Sequence, residues 1–311
     1  MNDTTTDLVL LTFAALGLLT VLSLLGEVLA LRRPGPLIDT YKTRVNSWWA
    51  MVILFALALV IGRAGVTLLF AFAAFAALRE FLTFSTKVQA DHLALAMGFY
   101  IVLPLQFFFV WMGWTGLFTV FIPVYAFLLL PIVTVLRQDP QRFLHRVAET
   151  QWGLMICVFC ISHVPALMTL EAANGDGAER GILMIVFLVM VVQLGDLLEI
   201  FFGRRLGRRR IAPDLSPKTW EGLALGVASA GLIGIGFAWL TPFSPLAAGG
   251  LAAVASATGL FGSLVLTAIK RDKGVRDWSH LIPGQGGFLD QLDSVIFAAP
   301  IFYHLIRLGL V

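Results

Sequence analysis

Asp290 and Asp293 stand three residues apart where the last apolar run of the chain begins. At that spacing both carboxylates share one helical face and can converge on a single cation. Acidic residues at a helix start are favoured by the helix dipole in any case, so the pair alone specifies no chemistry. Its surroundings add more. The stretch "KRDKGVRDWSHLIPGQGGFLDQLDS" places Lys270, Arg271, Lys273, Arg276, Asp277 and a Gly-Gln-Gly-Gly turn just before the pair. Carboxylates for a metal and cations for the remaining oxygens are what a Mg²⁺-bound phosphate needs.

Two further segments carry similar groups. In "QLGDLLEIFFGRRLGRRR", Asp196 and Glu199 are also three apart, near the end of an apolar run. Carboxylates at such depth face a bundle interior or a wet cavity. The blander alternative is an interfacial acid paired with the five arginines that follow. In "IAPDLSPKTWEG", Ser216 followed by Pro217 resembles a helix N-cap with proline at the first position. That placement sets Ser216, Lys218 and Thr219 at a helix N-terminus, where free N–H groups make a natural phosphate site. Taken alone it is simply the start of a helix, with Trp220 as an interface anchor. Cys157 and Cys160 form a C-x-x-C inside an apolar run with no further ligands nearby, so they read as two core- or lipid-facing thiols.

The elements that must position these groups are membrane helices. Of 311 residues, 59% are hydrophobic and 13% charged, about half the charge of a soluble chain. Mean hydropathy is +0.88. Apolar runs of about 20 residues recur along the chain, the length a bilayer-spanning helix needs. They predict an all-α polytopic membrane protein with ten helices, at about 8–31, 48–62, 65–78, 92–112, 114–136, 151–171, 181–202, 219–240, 245–269 and 288–309. The first run has no small-residue cleavage site and reads as a retained helix. Residues 1–180 form an N-terminal helical region and 181–311 the part that carries the motifs. The segments 32–47, 79–91, 137–150, 203–218 and 270–287 hold 19 of the 22 Lys and Arg residues. The positive-inside rule then puts these five on the cytoplasmic side and both termini outside. For 32–47 and 137–150 the basic residues read as topology signals and lipid contacts.

The quoted residues resemble the phosphatidate cytidylyltransferases, or CDP-diacylglycerol synthases. That family's signature runs S-x-x-K-R, four residues, K-D, then P-G-H-G-G, two residues, and D-R-x-D. "TAIKRDKGVRD", "IPGQGG" and "FLDQLDS" follow in the same order, and "SPKTWEG" is similar to the upstream S-P-K-K-T-W-E-G, after a membrane-embedded Asp matched by Asp196. The resemblance covers about 195–295. It implies transfer from CTP to phosphatidate, giving CDP-diacylglycerol and pyrophosphate in phospholipid biosynthesis, with Mg²⁺ as cofactor. It implies Asp290 and Asp293 as metal-binding catalytic residues, with Asp277 and Asp196 as further polar or metal-site members. Lys218, Lys270, Arg271 and Arg276 would hold the CTP and lipid phosphates, and Ser216, Thr219 and Thr267 would supply hydrogen bonds. A second, monovalent cation, a homodimer, and residence in the bacterial inner membrane are further implications; no nucleic-acid partner is expected.

The sequence departs from the pattern at several places. Gln285 stands for His, Gln291 for Arg, Arg276 for Lys and Thr267 for Ser, and one Lys is missing before Thr219. Ser263 and Leu266 occupy positions where many members carry acids. A divergent or weakly active homologue with a regulatory role, or one using another lipid phosphate, is the alternative. An ion-coupled transporter centred on Asp196 is less consistent, because transporter sites lie at the midplane between paired repeats and these charges gather at one rim. The extended pattern of CDP-alcohol phosphotransferases is not present.

Overall fold

The computed structural model describes residues 3–32, 35–85, 88–137, 139–172 and 177–309; Arg33 and Lys87, two of the 19 basic residues counted above, lie outside them. Among the described residues the chain forms ten helical rods. These are α1 (Asp3–Arg32), α2 (Pro36–Ile61), α3 (Arg63–Thr83), α4 (His92–Met112), α5 (Thr115–Val135), α6 (Phe143–Leu170), α7 (Gly177–Leu206), α8 (Trp220–Gly236), α9 (Pro245–Asp272) and α10 (Phe288–Arg307). No strand is present among them, and the pairings Arg210–Thr219 and Ile282–Gly286 are isolated bridges. Eight of the rods are long and apolar enough to cross a membrane. The exceptions are α8, which is short, and α10, whose first turns carry Asp290, Gln291 and Asp293. The protein is a multi-pass integral membrane protein.

The expected helices are all found, with different ends. α2 starts at Pro36 rather than at 48, because its polar first turns have protein partners. Tyr41 donates to the Leu22 carbonyl at 2.9 Å, and Lys42 pairs with Glu27 at 2.8 Å. α2 and α3 are two full helices that reverse at Gly62, where φ is +78°. α4, α5 and α6 each contain a wide π turn, at Gly98–Val102, Phe121–Ala126 and Met155–Cys160. The first precedes Pro104 and the second contains Pro123, residues that cannot donate the regular helical bond. Cys157 and Cys160 are free thiols in the third, the first fully buried.

The middle of the molecule is packed around α3, α6 and α7, with Phe118, Phe187, Leu167, Met168 and Phe302 buried between them and their neighbours. α7, α8, α9 and α10 pack each against the next. Close approach is possible there because of small residues: a Cβ on Gly226 of α8 would stand 2.9 Å from the Glu199 Cβ of α7. α1 and α2 lie at the periphery, with 6% and 17% of their apolar windows buried, which leaves most of that surface for lipid.

Candidate active site

All five basic segments meet at one end of the bundle. Arg44 Nε donates to the Gly284 carbonyl at 3.0 Å, and Ser47 Oγ to that of Pro283 at 2.9 Å. Glu80 accepts the Ser279 hydroxyl at 2.6 Å. Arg146, 2% exposed, pairs with Asp91 at 3.0 Å and also reaches the Asp139 and Gln141 carbonyls. Lys273 pairs with Glu149. These contacts join 32–47, 79–91, 137–150 and 270–287, and the fifth segment, 203–218, closes over a cleft beside them. The residues of 32–47 and 137–150 therefore do more than set topology: Arg44, Ser47 and Arg146 are structural ties.

The cleft has a volume of about 1190 Å³. Arg204, Arg208, Arg210, Lys218, Lys270, Arg271 and Arg276 line it, with Glu199 as the one acid among the described residues. α7 supplies Glu199 and Arg204 from its last turns, and α9 supplies Thr267, Lys270 and Arg271 from its end. The chain then turns at Gly274 and brings Arg276 back to the rim. Ser216, Lys218 and Thr219 line the third side. Every phosphate-binding residue expected from sequence is thus in one cavity. Arg204, Arg208 and Arg210 were not expected there. The signal for them was the run "GRRLGRRR" directly after Asp196 and Glu199, which the blander reading absorbs as partners of those acids.

The "SPKTWEG" segment departs from its expected form. α8 begins at Trp220, with Thr219 rather than Ser216 as its N-cap; the Thr219 hydroxyl accepts the Gly222 N–H at 3.2 Å. Residues before it are extended and pair with 209–211: Ile211 N–H donates to Lys218 O at 3.0 Å, and Trp220 N–H to Arg209 O at 2.9 Å. Glu221 accepts the Arg208 and Arg209 N–H groups at 3.0 and 3.1 Å, fixing the arginine loop. The helix start is therefore capped by protein groups, and side chains rather than free N–H groups face the cleft.

Lys218 crosses the floor. Its Nζ donates to Ser263 Oγ at 2.7 Å and stands 3.6 Å from Glu199 Oε2. Asp196 and Asp293 lie within electrostatic reach of the same ammonium. Glu199 is 2% exposed.

The carboxylates of the last motif divide into different tasks. Asp290 pairs with Lys270 at 3.0 Å, and its second oxygen accepts the Trp278 and Gly287 N–H groups, both at 2.9 Å. Both oxygens are engaged, so that Asp290 clasps the loop to the start of α10. Asp293 accepts the Ser294 N–H at 2.7 Å. Asp277 is exposed on the loop, and Asp196, Asp290 and Asp293, each partly buried, are not among the residues that line the cleft. Trp278 is buried against Phe81 and Phe84.

Glu80 is the functional-end residue that sequence reasoning missed. Buried at 3% exposure on α3, it accepts Phe288 N–H at 3.0 Å and Leu289 N–H at 2.9 Å, the free donors of the α10 N-terminus. A Cβ at Gly287 would run into this carboxylate, so the last glycine of the turn is a packing requirement. The two departures from His and Arg have partners of their own. Gln285 donates to the Arg44 carbonyl at 3.0 Å and accepts from Trp48 Nε1 at 3.2 Å, and Gln291 donates to the Gln285 carbonyl at 3.0 Å.

The residues suit a divalent cation. Asp196 Oδ1 is buried with no hydrogen-bond partner, an oxygen donor of the kind Mg²⁺ takes. No three His, Cys, Asp or Glu side chains form a ready cage among the described residues. Mg²⁺ commonly uses one or two carboxylates and fills its other positions with water and substrate phosphate.

Known proteins point the same way. A model of the cytidylyltransferase family matches residues 42–309. The uncharacterized protein YnbB of Escherichia coli K12 is 36% identical over 294 residues, 93% of this chain and 95% of that one. The phosphatidate cytidylyltransferase of Synechocystis is 34% identical over 139 residues, 44% of this chain and 47% of that one. That of Bacillus subtilis is 33% identical over 144 residues, 45% and 52%. The match to these two enzymes spans about half of their length. A cation-lined cleft beside buried carboxylates, and a family match over most of the sequence, lead to one conclusion: the chain belongs to the cytidylyltransferase family of nucleotidyltransferase enzymes.

Proposed function

We propose that this protein transfers the cytidylyl group of CTP to phosphatidate, forming CDP-diacylglycerol and pyrophosphate at the cytoplasmic face of a bacterial inner membrane. The observation that carries this reading is the cleft with seven cationic side chains and one acid. Such a balance suits a triphosphate meeting a lipid phosphate. Its volume of about 1190 Å³ exceeds the roughly 300–1,000 Å³ of a small-ligand pocket, leaving room for both. The similarity to phosphatidate cytidylyltransferases supports the choice of substrates.

In the reaction, a phosphate oxygen of phosphatidate attacks the α-phosphorus of CTP. A P–O bond forms there, the bond to the α–β bridging oxygen breaks, and its electron pair leaves with pyrophosphate. Arg204, Arg208, Arg210, Arg271 and Arg276 hold and neutralise the phosphate oxygens, where bidentate contacts fix geometry. Lys218 lies at the floor, where the reacting phosphates converge. Asp196 and Asp293 would hold Mg²⁺, which supplies charge neutralisation for the attacking and leaving oxygens. Asp290 and Glu80 keep the loop and the start of α10 in place. Positioning and electrostatics carry the catalysis, as in phosphoryl transfer generally.

A second acceptor, another lipid phosphate, is favoured by one observation. The similarity to YnbB runs over nearly the whole chain, whereas the phosphatidate enzymes match over about half of theirs. Purified protein with α-labelled CTP, Mg²⁺ and a panel of lipid phosphates separates the two. Label entering a CDP-lipid with phosphatidate supports the first reading; turnover only with another lipid phosphate supports the second. No labelled lipid from any acceptor overturns both.

A further inference from the structure

We propose that Glu199 is a cation ligand of the active site, with Lys218 holding the cation's place until nucleotide arrives; this rests on the cytidylyltransferase reading. The Lys218 ammonium lies 2.7 Å from Ser263 Oγ and 3.6 Å from Glu199 Oε2, with Asp196 and Asp293 within electrostatic reach. A positive charge ringed by carboxylates and a hydroxyl has the surroundings of a metal ion.

One observation singles out Glu199 within that ring: among the described residues it is the one carboxylate that lines the cleft. Its Oε2, like Asp196 Oδ1, is buried without a hydrogen bond, in a residue 2% exposed. A buried carboxylate oxygen held only by an ion pair at 3.6 Å is costly unless something else satisfies it. The residue is fixed there by packing, since a Cβ at Gly226 would stand only 3.1 Å from its Cα at the α7–α8 crossing.

The exchange follows from charge. A triphosphate entering the cleft attracts Lys218, whose stem is flexible and whose ammonium is free to rotate. Its departure leaves Glu199 and Asp196 facing the same space, and a divalent ion arriving with the nucleotide restores neutrality. Ser263, on the opposite side of the ammonium, supplies no charge. In this chain the cleft-facing carboxylate is therefore on α7 and not on α9.

The test uses the full-length protein in detergent, with Mn²⁺ binding followed by electron paramagnetic resonance in the presence of CTP, and CTP binding measured separately without metal. Glu199→Gln keeps the side-chain shape. The expected result is Mn²⁺ affinity lower by on the order of tenfold to a hundredfold, while metal-free CTP affinity does not fall, because the substitution removes a negative charge from the cleft wall. Adding Ser263→Asp to Glu199→Gln returns a carboxylate to the ammonium's other side and is expected to restore most of the Mn²⁺ affinity. Unchanged Mn²⁺ binding in Glu199→Gln overturns the inference. Weaker binding that tracks a lower melting temperature and is not restored by Ser263→Asp also overturns it, by making the residue structural. An unmodified protein that binds no CTP removes the cytidylyltransferase reading itself, and this inference with it.

Discussion

Lys270, in the last turn of α9, and Asp290, in the first turn of α10, form a 3.0 Å ion pair whose side chains are 16% and 9% exposed. The pair spans the loop that carries the glycine-rich turn, and the other Asp290 oxygen holds Trp278 and Gly287. Asp290→Ala leaves an uncompensated ammonium and two backbone donors without their acceptor. A loss of about 3 kcal/mol is expected, seen as a lower melting temperature in detergent. Metal-free CTP affinity should fall less than in Lys218→Met.

Glu80→Gln tests the clasp on α10. The amide offers one acceptor where the carboxylate offers two, so one of Ser279, Phe288 or Leu289 loses its partner. The expected cost is about 1–3 kcal/mol. Hydrogen exchange at residues 279–290 should accelerate while that of α7 stays unchanged.

Lys218→Met removes the ammonium at the cleft floor. CTP affinity is expected to fall roughly tenfold to a hundredfold, the worth of a charge-assisted hydrogen bond. Raising NaCl from about 0.05 to 0.5 M should weaken CTP binding to the parent protein through screening of its clustered cations. The Lys218→Met protein should show a shallower salt dependence.

Gln285→His restores the residue of the resembled signature. Gln285 donates with one end and accepts with the other, to Arg44 O and from Trp48 Nε1. An imidazole has a different reach and cannot copy both contacts. A loss of about 1 kcal/mol is expected, together with a change in Trp48 fluorescence.

Membrane orientation is tested with single cysteines at Arg208 and Arg276, both exposed, in a background lacking Cys157 and Cys160. A membrane-impermeant thiol reagent applied to intact cells should leave both unlabelled. Opened cells should label both.

The helices were legible as apolar runs, eight of them long and apolar enough to cross a bilayer, because lipid demands about 20 apolar residues in a row. Their ends were harder. Residues 36–47 look like a basic loop, yet they are helical because Tyr41, Lys42, Arg44 and Ser47 all find partners on α1 or the 283–284 turn. The phosphate-binding residues were legible from clustered cations beside intramembrane acids. The division of labour among the acids was not. Asp290 and Asp293 look equivalent at a spacing of three, and only their neighbours show that Asp290 ties the loop while Asp293 bonds to the adjacent Ser294. Glu80 carried the same signal as Asp196, an acid near the end of an apolar run. Its role became visible only when α3 met the start of α10. The cap at Ser216 was displaced to Thr219 because backbone pairing with 209–211 claims the intervening residues, and pairing between segments leaves little trace in local sequence.

The tie between Arg44 and Gly284 bridges 240 positions of the chain, and that between Glu80 and Leu289 bridges 209. A ribosome releases α2 and α3 long before it releases the glycine turn they hold. The α2–α3 hairpin must therefore wait in the bilayer with Arg44 and Glu80 lacking these partners until the 283–289 segment follows. The order of assembly is written into the site: its loop is fastened only when the start of α10 closes back on α2 and α3.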